Sequence, residues 1–316
     1  MRTIYLDGKK MIMREQPLDL EPGEALVKVS LAGICGTDLE MARGYMSFSG
    51  VLGHEFVGIV EKANDQSLVG KRVVGEINAA CGKCDYCGKG LERHCPKRTV
   101  LGIYRRDGAF AEYVSLPEKN LHQIPDRVAD EQAVFVEPIA AAFEIEEQIH
   151  TDKDSRVAIV GDGRLAQLIA RVMRIRHGDM VCFGRHQSKL ERLRKLGIKT
   201  KLEILPEDEH QFDVVVEATG RESGFSDALR LARPRGTVVL KSTIASKEKL
   251  DFAPAIINEI TMVGSRCGPF RPAIEALASG KVTVDDLVSA VYPLEEFEKA
   301  FEEAKNPESL KVLLRP

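Results

Sequence analysis

Residues 155–178, SRVAIVGDGRLAQLIARVMRIRHG, pass from a short apolar run through a glycine turn into a second apolar pattern of different period. The run 156–160 has the length of a buried strand. Leu165, Leu168, Ile169, Val172 and Ile175 then recur at helical spacing, with Gly178 as the stop. A strand feeding a helix through so tight a turn opens a βαβ unit, and its next strand must lie parallel to the first. FDVVVEATG (212–220) and GTVVLKST (236–243) continue the alternation. The chain is therefore predicted to be α/β, with a doubly wound parallel sheet in this region.

The turn itself reads Gly161-x-Gly163-x-x-Ala166. The first two glycines permit a sharp bend and close approach of a pyrophosphate to a helix N-terminus, and the small third residue lets helix meet strand. Together with Thr219 and Gly220, which close the strand-like stretch 212–220, these are the candidate dinucleotide-binding residues. The next strand, within DMVCFGRHQSKLERLRKLG, ends in Gly184-Arg185-His186 where an NAD-selective site carries an Asp or Glu for the ribose 2′-hydroxyl. Arg185, helped by His186 or Lys189, suits a 2′-phosphate instead, so NADP is expected ahead of NAD. Asp179 precedes the strand and lies at its wrong end.

At 316 residues, 44% of them hydrophobic, the chain is long enough for two cores. Its 45 basic and 48 acidic residues leave a formal net charge of −3, which offers nucleic acid no general attraction. The start, MRTIYLDGKK, has no signal-like apolar core, and no apolar run is long enough to span a bilayer, so a cytoplasmic location with no membrane partner is expected. An odd total of seven cysteines argues against a disulfide framework there.

Four of those cysteines fall within residues 81–95, CGKCDYCGKGLERHC, spaced Cys81-x2-Cys84-x2-Cys87-x7-Cys95. Two thiolates two residues apart can reach one ion, and Gly82 and Gly88 are expected to supply the bends. Four soft ligands close a tetrahedron around zinc and leave no place for substrate, so the site reads as structural. An iron–sulfur cluster, whose bacterial spacing has a shorter last gap, and unligated thiols are the alternatives. His94 is read as a bystander.

Upstream stand C-G-T-D at 35–38 and G-H-E at 53–55, and downstream Glu137-Pro138. In this order, with the four-cysteine segment between them, they resemble the zinc-dependent medium-chain dehydrogenase/reductase family of alcohol, sorbitol, glucose and threonine dehydrogenases. The resemblance covers essentially the whole chain. It implies a GroES-like β-rich catalytic domain over 1–138 and 266–316, interrupted by a Rossmann domain over 139–265. It also implies a catalytic zinc held by Cys35 and His54, with Glu137 as third ligand and Glu55 as its competitor. Asp38 is then expected to orient His54, and Thr37 to begin a proton relay. Many members end that relay with a histidine five residues after the ligating cysteine, where this chain has Glu40, a weaker base near neutrality. Asn64, where Gly or Ala is usual, is a second departure.

The expected activity is hydride exchange between NADP(H) and an alcohol or polyol, or its aldehyde or ketone, using one catalytic and one structural zinc. A zinc-independent quinone or enoyl reductase would lack Cys35, His54 and the four cysteines. A non-catalytic NADP-binding regulatory module would keep the cofactor without the catalytic metal. A small-molecule substrate and a homo-oligomer, dimer or tetramer, complete the expectation.

Overall fold

Glu24–Ile34 (β1) alternates buried and more exposed positions through residues 25–30 and is buried throughout its last four residues, so one strand serves first a half-solvated and then an enclosed part of its sheet. The structure is a computed structural model describing residues 1–8, 10–18, 20–242 and 250–316. After β1, helix α1 (Gly36–Ala42) follows at once, and the sheet continues with β2 (Glu55–Lys62), β3 (Arg72–Gly75), β4 (Tyr113–Pro117) and β5 (Leu121–Gln123). β1 pairs antiparallel with both β2 and β4, making it the hub of the sheet. Helix α2 (Val136–Gln148) leads away from it.

A six-stranded sheet comes next, built from β6 (Val157–Val160), β7 (Met180–Phe183), β8 (Lys199–Lys201), β9 (Phe212–Glu217), β10 (Ala232–Leu240) and β11 (Thr261–Gly264). The order is β8-β7-β6-β9-β10-β11, every pair parallel. Helices α3 (Arg164–Met173), α4 (Gln187–Lys195) and α5 (Glu222–Leu231) form crossovers. The strands read as continuous apolar runs because both faces are covered: β6 and β7 are buried at every position. Ala158, Val160, Val215, Phe225 and Val238 share one core. The chain winds outward from β6 to β8 and resumes at β9 on the other side of β6. The carboxyl ends of β6 and β9 thus flank the crevice where such sheets take ligands.

Helix α3 stops at Met173, short of Gly178, because the N–H groups of Ile175 and Arg176 tighten onto the carbonyls of Val172 and Met173 three residues back. Short helix α6 (Ala253–Ile257) precedes β11. Thr243, the last residue of the stretch read as a strand after 236, lies outside the described residues.

Finally β12 (Val288–Pro293) and β13 (Lys311–Arg315) return to the first sheet, whose order is β5-β3-β2-β1-β13-β12 with β4 also on β1. Two compact units result: Met1–Glu137 with Phe270–Pro316, and Pro138–Pro269. Among the described residues no helix is long and apolar enough to cross a membrane.

Candidate active site

Cys35 leaves β1 in an extended conformation and caps the N-terminus of α1. The third helical residue, Asp38, turns its carboxylate back to accept the Cys35 N–H at 2.8 Å, the return half of a capping box. Asp38 is fully buried, also accepts from the Gly53 N–H at 3.3 Å, and its Oδ1 stands 3.4 Å from His54 Nδ1. That last contact has the distance of an ion pair without hydrogen-bond geometry, and Nδ1 has no hydrogen-bond partner. Burial, the largest single influence, disfavours protonation of His54, but Asp38 and Cys35 together outweigh it and hold the imidazole pKa well above its ordinary value. Asp38 therefore caps the helix and faces the histidine at once.

The junction of β1 with α1 and the start of β2 bring Cys35, His54 and Glu55 together, each offering a donor atom within 4.8 Å of the other two. Thiol, imidazole and carboxylate are the donor types zinc takes, at a spacing one ion can bridge. The Glu55 carboxylate is buried and ion-paired with Lys311 on β13. Glu137 is half-buried in the first turn of α2 and lies outside this close group. Thr37 places its hydroxyl 3.8 Å from Cys35 Sγ. The Glu40 carboxylate is exposed and accepts from Arg43 at 2.7 Å, one turn along the same helix.

Cys81, Cys84, Cys87 and Cys95 form the second close group of donors. Their sulfurs stand 3.5 Å (Cys84–Cys87) and 3.6 Å (Cys84–Cys95, Cys95–Cys81) apart. A disulfide requires about 2.05 Å, whereas a tetrahedron with Zn–S near 2.3 Å has edges of about 3.8 Å. The residues fit the metal. The Lys83 N–H leads in pulling Cys81 down to about 6, while burial beside the other thiols pushes Cys87 up to about 11. One backbone expectation needs correcting: Gly82 is left-handed at φ 71°, but Gly88 lies inside the helical turn Asp85–Gly88, and the second left-handed glycine is Gly90 at φ 72°.

In the six-stranded sheet, Gly161 has φ 126°, and a Cβ there would meet the Ala218 carbonyl oxygen at 2.9 Å. Gly163 caps α3 with open space where a side chain would be, and Ala166 is fully buried where that helix meets the sheet. This is the backbone cradle a pyrophosphate needs. At the end of β9, Glu217 Oε1 accepts the N–H groups of Thr219 (2.6 Å) and Gly220 (3.2 Å) and the Thr219 hydroxyl (2.5 Å), holding that turn at the crevice. Gly184, Arg185 and His186 follow β7, with the Arg185 guanidinium 3.2 Å from Ser223 Oγ.

Two residues escaped the sequence reading. Lys311 carries no local signal, because its partner is Glu55 on a distant strand. Asp162 did offer one, an acid inside the glycine turn. Its Oδ2 accepts the N–H groups of Arg185 (2.6 Å) and His186 (2.7 Å) at the end of β7. Burial, the largest single influence, raises the Asp162 pKa, but these donors together with the His186 ring outweigh it and hold the carboxyl below its ordinary range.

Two family models together span most of the chain. The family model for the alcohol dehydrogenase GroES-like domain matches residues 21–126, and that for the glucose dehydrogenase C-terminus matches residues 130–315. The sorbitol dehydrogenase of Halalkalibacterium halodurans is 30% identical over 328 residues, spanning 96% of this chain and 95% of its own. A zinc-binding dehydrogenase of Sinorhizobium meliloti 1021 bound to NADP superposes with a TM-score of 0.90 at 28% identity, covering 100% of this chain and 99% of its own. The short chain alcohol dehydrogenase (rspB) of E. coli CFT073, complexed with NADH, does so with a TM-score of 0.90 at 26% identity and the same coverage. With a matching family model over more than half its length and a relative aligned nearly end to end, the chain belongs to the zinc-type medium-chain dehydrogenases, as an alcohol-dehydrogenase-like enzyme.

Proposed function

We propose that the chain interconverts a polyol and its carbonyl form with NADP(H), using a catalytic zinc at Cys35 and His54 and a structural zinc at Cys81, Cys84, Cys87 and Cys95. The observation that carries this reading is the convergence of Cys35, His54 and Glu55 beside the Thr37 hydroxyl. When bound, zinc supplies Lewis acidity and the nicotinamide carries the hydride. Thr37 Oγ1 accepts the proton of the substrate hydroxyl, and Asp38 keeps His54 oriented. Glu40, exposed on the same helix as Thr37, is the end of the relay.

Two carboxylates compete for the third metal position. Glu55 stands closer, but its charge is matched by buried Lys311, and using Glu55 as a ligand leaves that lysine without its counter-charge. Glu137 is therefore assigned the place. The polyol class is supported by likeness to a sorbitol dehydrogenase, and the preference for NADP by Arg185 and His186 in place of a strand-end acid. Seven cysteines, none in a disulfide, suit a reducing cytoplasm. A homo-oligomer is supported by β11, an edge strand with Met262 exposed, and by α6, where Ile256 and Ile257 are 76% and 77% exposed.

Initial rates over polyols, simple alcohols and their carbonyls, with NADP and with NAD, test the proposal alongside zinc content. Polyol-dependent NADP reduction that disappears when zinc is chelated is expected, and Glu137→Gln should lose zinc more readily than Glu55→Gln. No turnover of any of these substrates by protein retaining its zinc would overturn the reading.

A further inference from the structure

Asp162 is 6% exposed, a low figure for an acid in a glycine turn that faces a ligand crevice. Besides the two N–H groups it takes from Arg185 and His186, both of its oxygens lie 3.0 Å from His186 Nδ1. The side chain also fills the space in front of Gly184: a Cβ on that glycine would sit 2.6 Å from Asp162 Cβ and 2.6 Å from Oδ2. The carboxylate missing from the end of β7 in the sequence is thus present there in space, delivered by the turn after β6. Gln167, fully buried, tightens the same join by donating to the carbonyls of Asp162 (3.4 Å) and Lys189 (3.0 Å).

The orientation of that carboxylate decides what it does. A carboxylate presented outward accepts from a ribose 2′-hydroxyl and repels a 2′-phosphate. Here the oxygens are turned onto two backbone amides and one imidazole. Nδ1 faces a group that only accepts, so it carries a proton, and Nε2, on a side chain 38% exposed, donates to a phosphate when the ring is imidazolium, a form the facing carboxylate charge favours. Arg185 follows from the same fixed backbone.

We infer that Asp162 is a positioning residue for cofactor choice, holding Arg185 and His186 as a pair that favours a 2′-phosphate over a 2′-hydroxyl on the adenosine ribose. The inference rests on the dinucleotide-binding reading above. It assigns selectivity to a residue outside the strand end where it is ordinarily sought.

Binding of NADP, NAD and the fragments 2′,5′-ADP and 5′-ADP, measured by calorimetry, tests it without turnover or zinc. Wild type should bind 2′,5′-ADP more tightly than 5′-ADP. Asp162→Asn should weaken NADP and 2′,5′-ADP by about ten- to a hundredfold, the scale of a charge-assisted contact, while NAD and 5′-ADP change less than about threefold. His186→Ala should produce the same selective loss, and the double variant should lose little more than either single one. Tighter NADP binding by Asp162→Asn would mean that the carboxylate acts by repulsion, and equal weakening of both cofactors would mean that it only supports the fold. Either outcome overturns the inference. A wild type that binds none of the four ligands refutes the dinucleotide reading instead.

Discussion

Glu55 and Lys311, 256 positions apart in the chain, form an ion pair whose side chains are 1% and 3% exposed. Gly33 on β1 makes room for it, since a Cβ there would lie 2.6 Å from Glu55 Oε2 and 2.7 Å from Val134 Cγ1. Removing one member of a buried pair costs about 3–5 kcal/mol, because the other charge is left without compensation. Lys311→Met should lower the stability of this unit by that amount, and adding Glu55→Gln should recover part of the loss. Denaturant titration of wild type, both single variants and the double variant checks this, with additive losses counting against the pair.

The two cysteine-bearing groups should respond differently to substitution. Cys84→Ser should lower the melting temperature and release one zinc, because a closed four-sulfur site contributes folding energy directly. His54→Ala should abolish turnover and lower the melting temperature less than Cys84→Ser does, because Asp38 keeps the N–H groups of Cys35 and Gly53 as partners. Elemental analysis and calorimetry on both variants decide the matter, and a single zinc in the intact protein would refute the division of roles.

Placing an acid at the end of β7 is the obvious way to favour NAD, and the packing around Gly184 opposes it. Gly184→Asp should destabilise the protein by about 1–3 kcal/mol through overpacking against Asp162, without a gain in NAD affinity. Asp162→Gly combined with Gly184→Asp should relieve the clash. Melting temperatures that rank the double variant below Gly184→Asp would contradict the packing argument.

The depressed pKa of Asp162 ties stability to pH. Its contribution is complete above the ordinary carboxylate value of about 4 and is lost as pH falls through the lower folded-state value. The difference in melting temperature between wild type and Asp162→Asn should therefore be constant from about pH 7 to 5 and shrink below about pH 4. A difference unchanged down to about pH 2.5 would remove the carboxylate as its cause.

What could be read in advance was whatever depends on near neighbours in the chain. The spacing from Cys81 to Cys95 limits its donors to one small lobe, and the strand, turn and helix from 157 to 173 follow from local period and glycine placement. The Glu55–Lys311 pair follows instead from β13 joining β1, a register no local pattern announces. Asp162 was visible as a residue but not as a contact, since its partners belong to the next strand's turn. The bend assigned to Gly88 failed because Asp85–Gly88 closes as a helical turn, which needs no left-handed residue until Gly90.

The placement of β13 beside β1 also sets an order of events during synthesis. The unit 138–269 is one unbroken stretch and can close its parallel sheet as soon as it has left the ribosome. The other unit cannot. Its hub strand is made early, yet the neighbour that carries Lys311 is made some 280 residues later. Until then Glu55 has no counter-charge and the last residues of β1 have an open edge, so the host, begun first, stays unfinished through most of translation and can close only after the insert is complete.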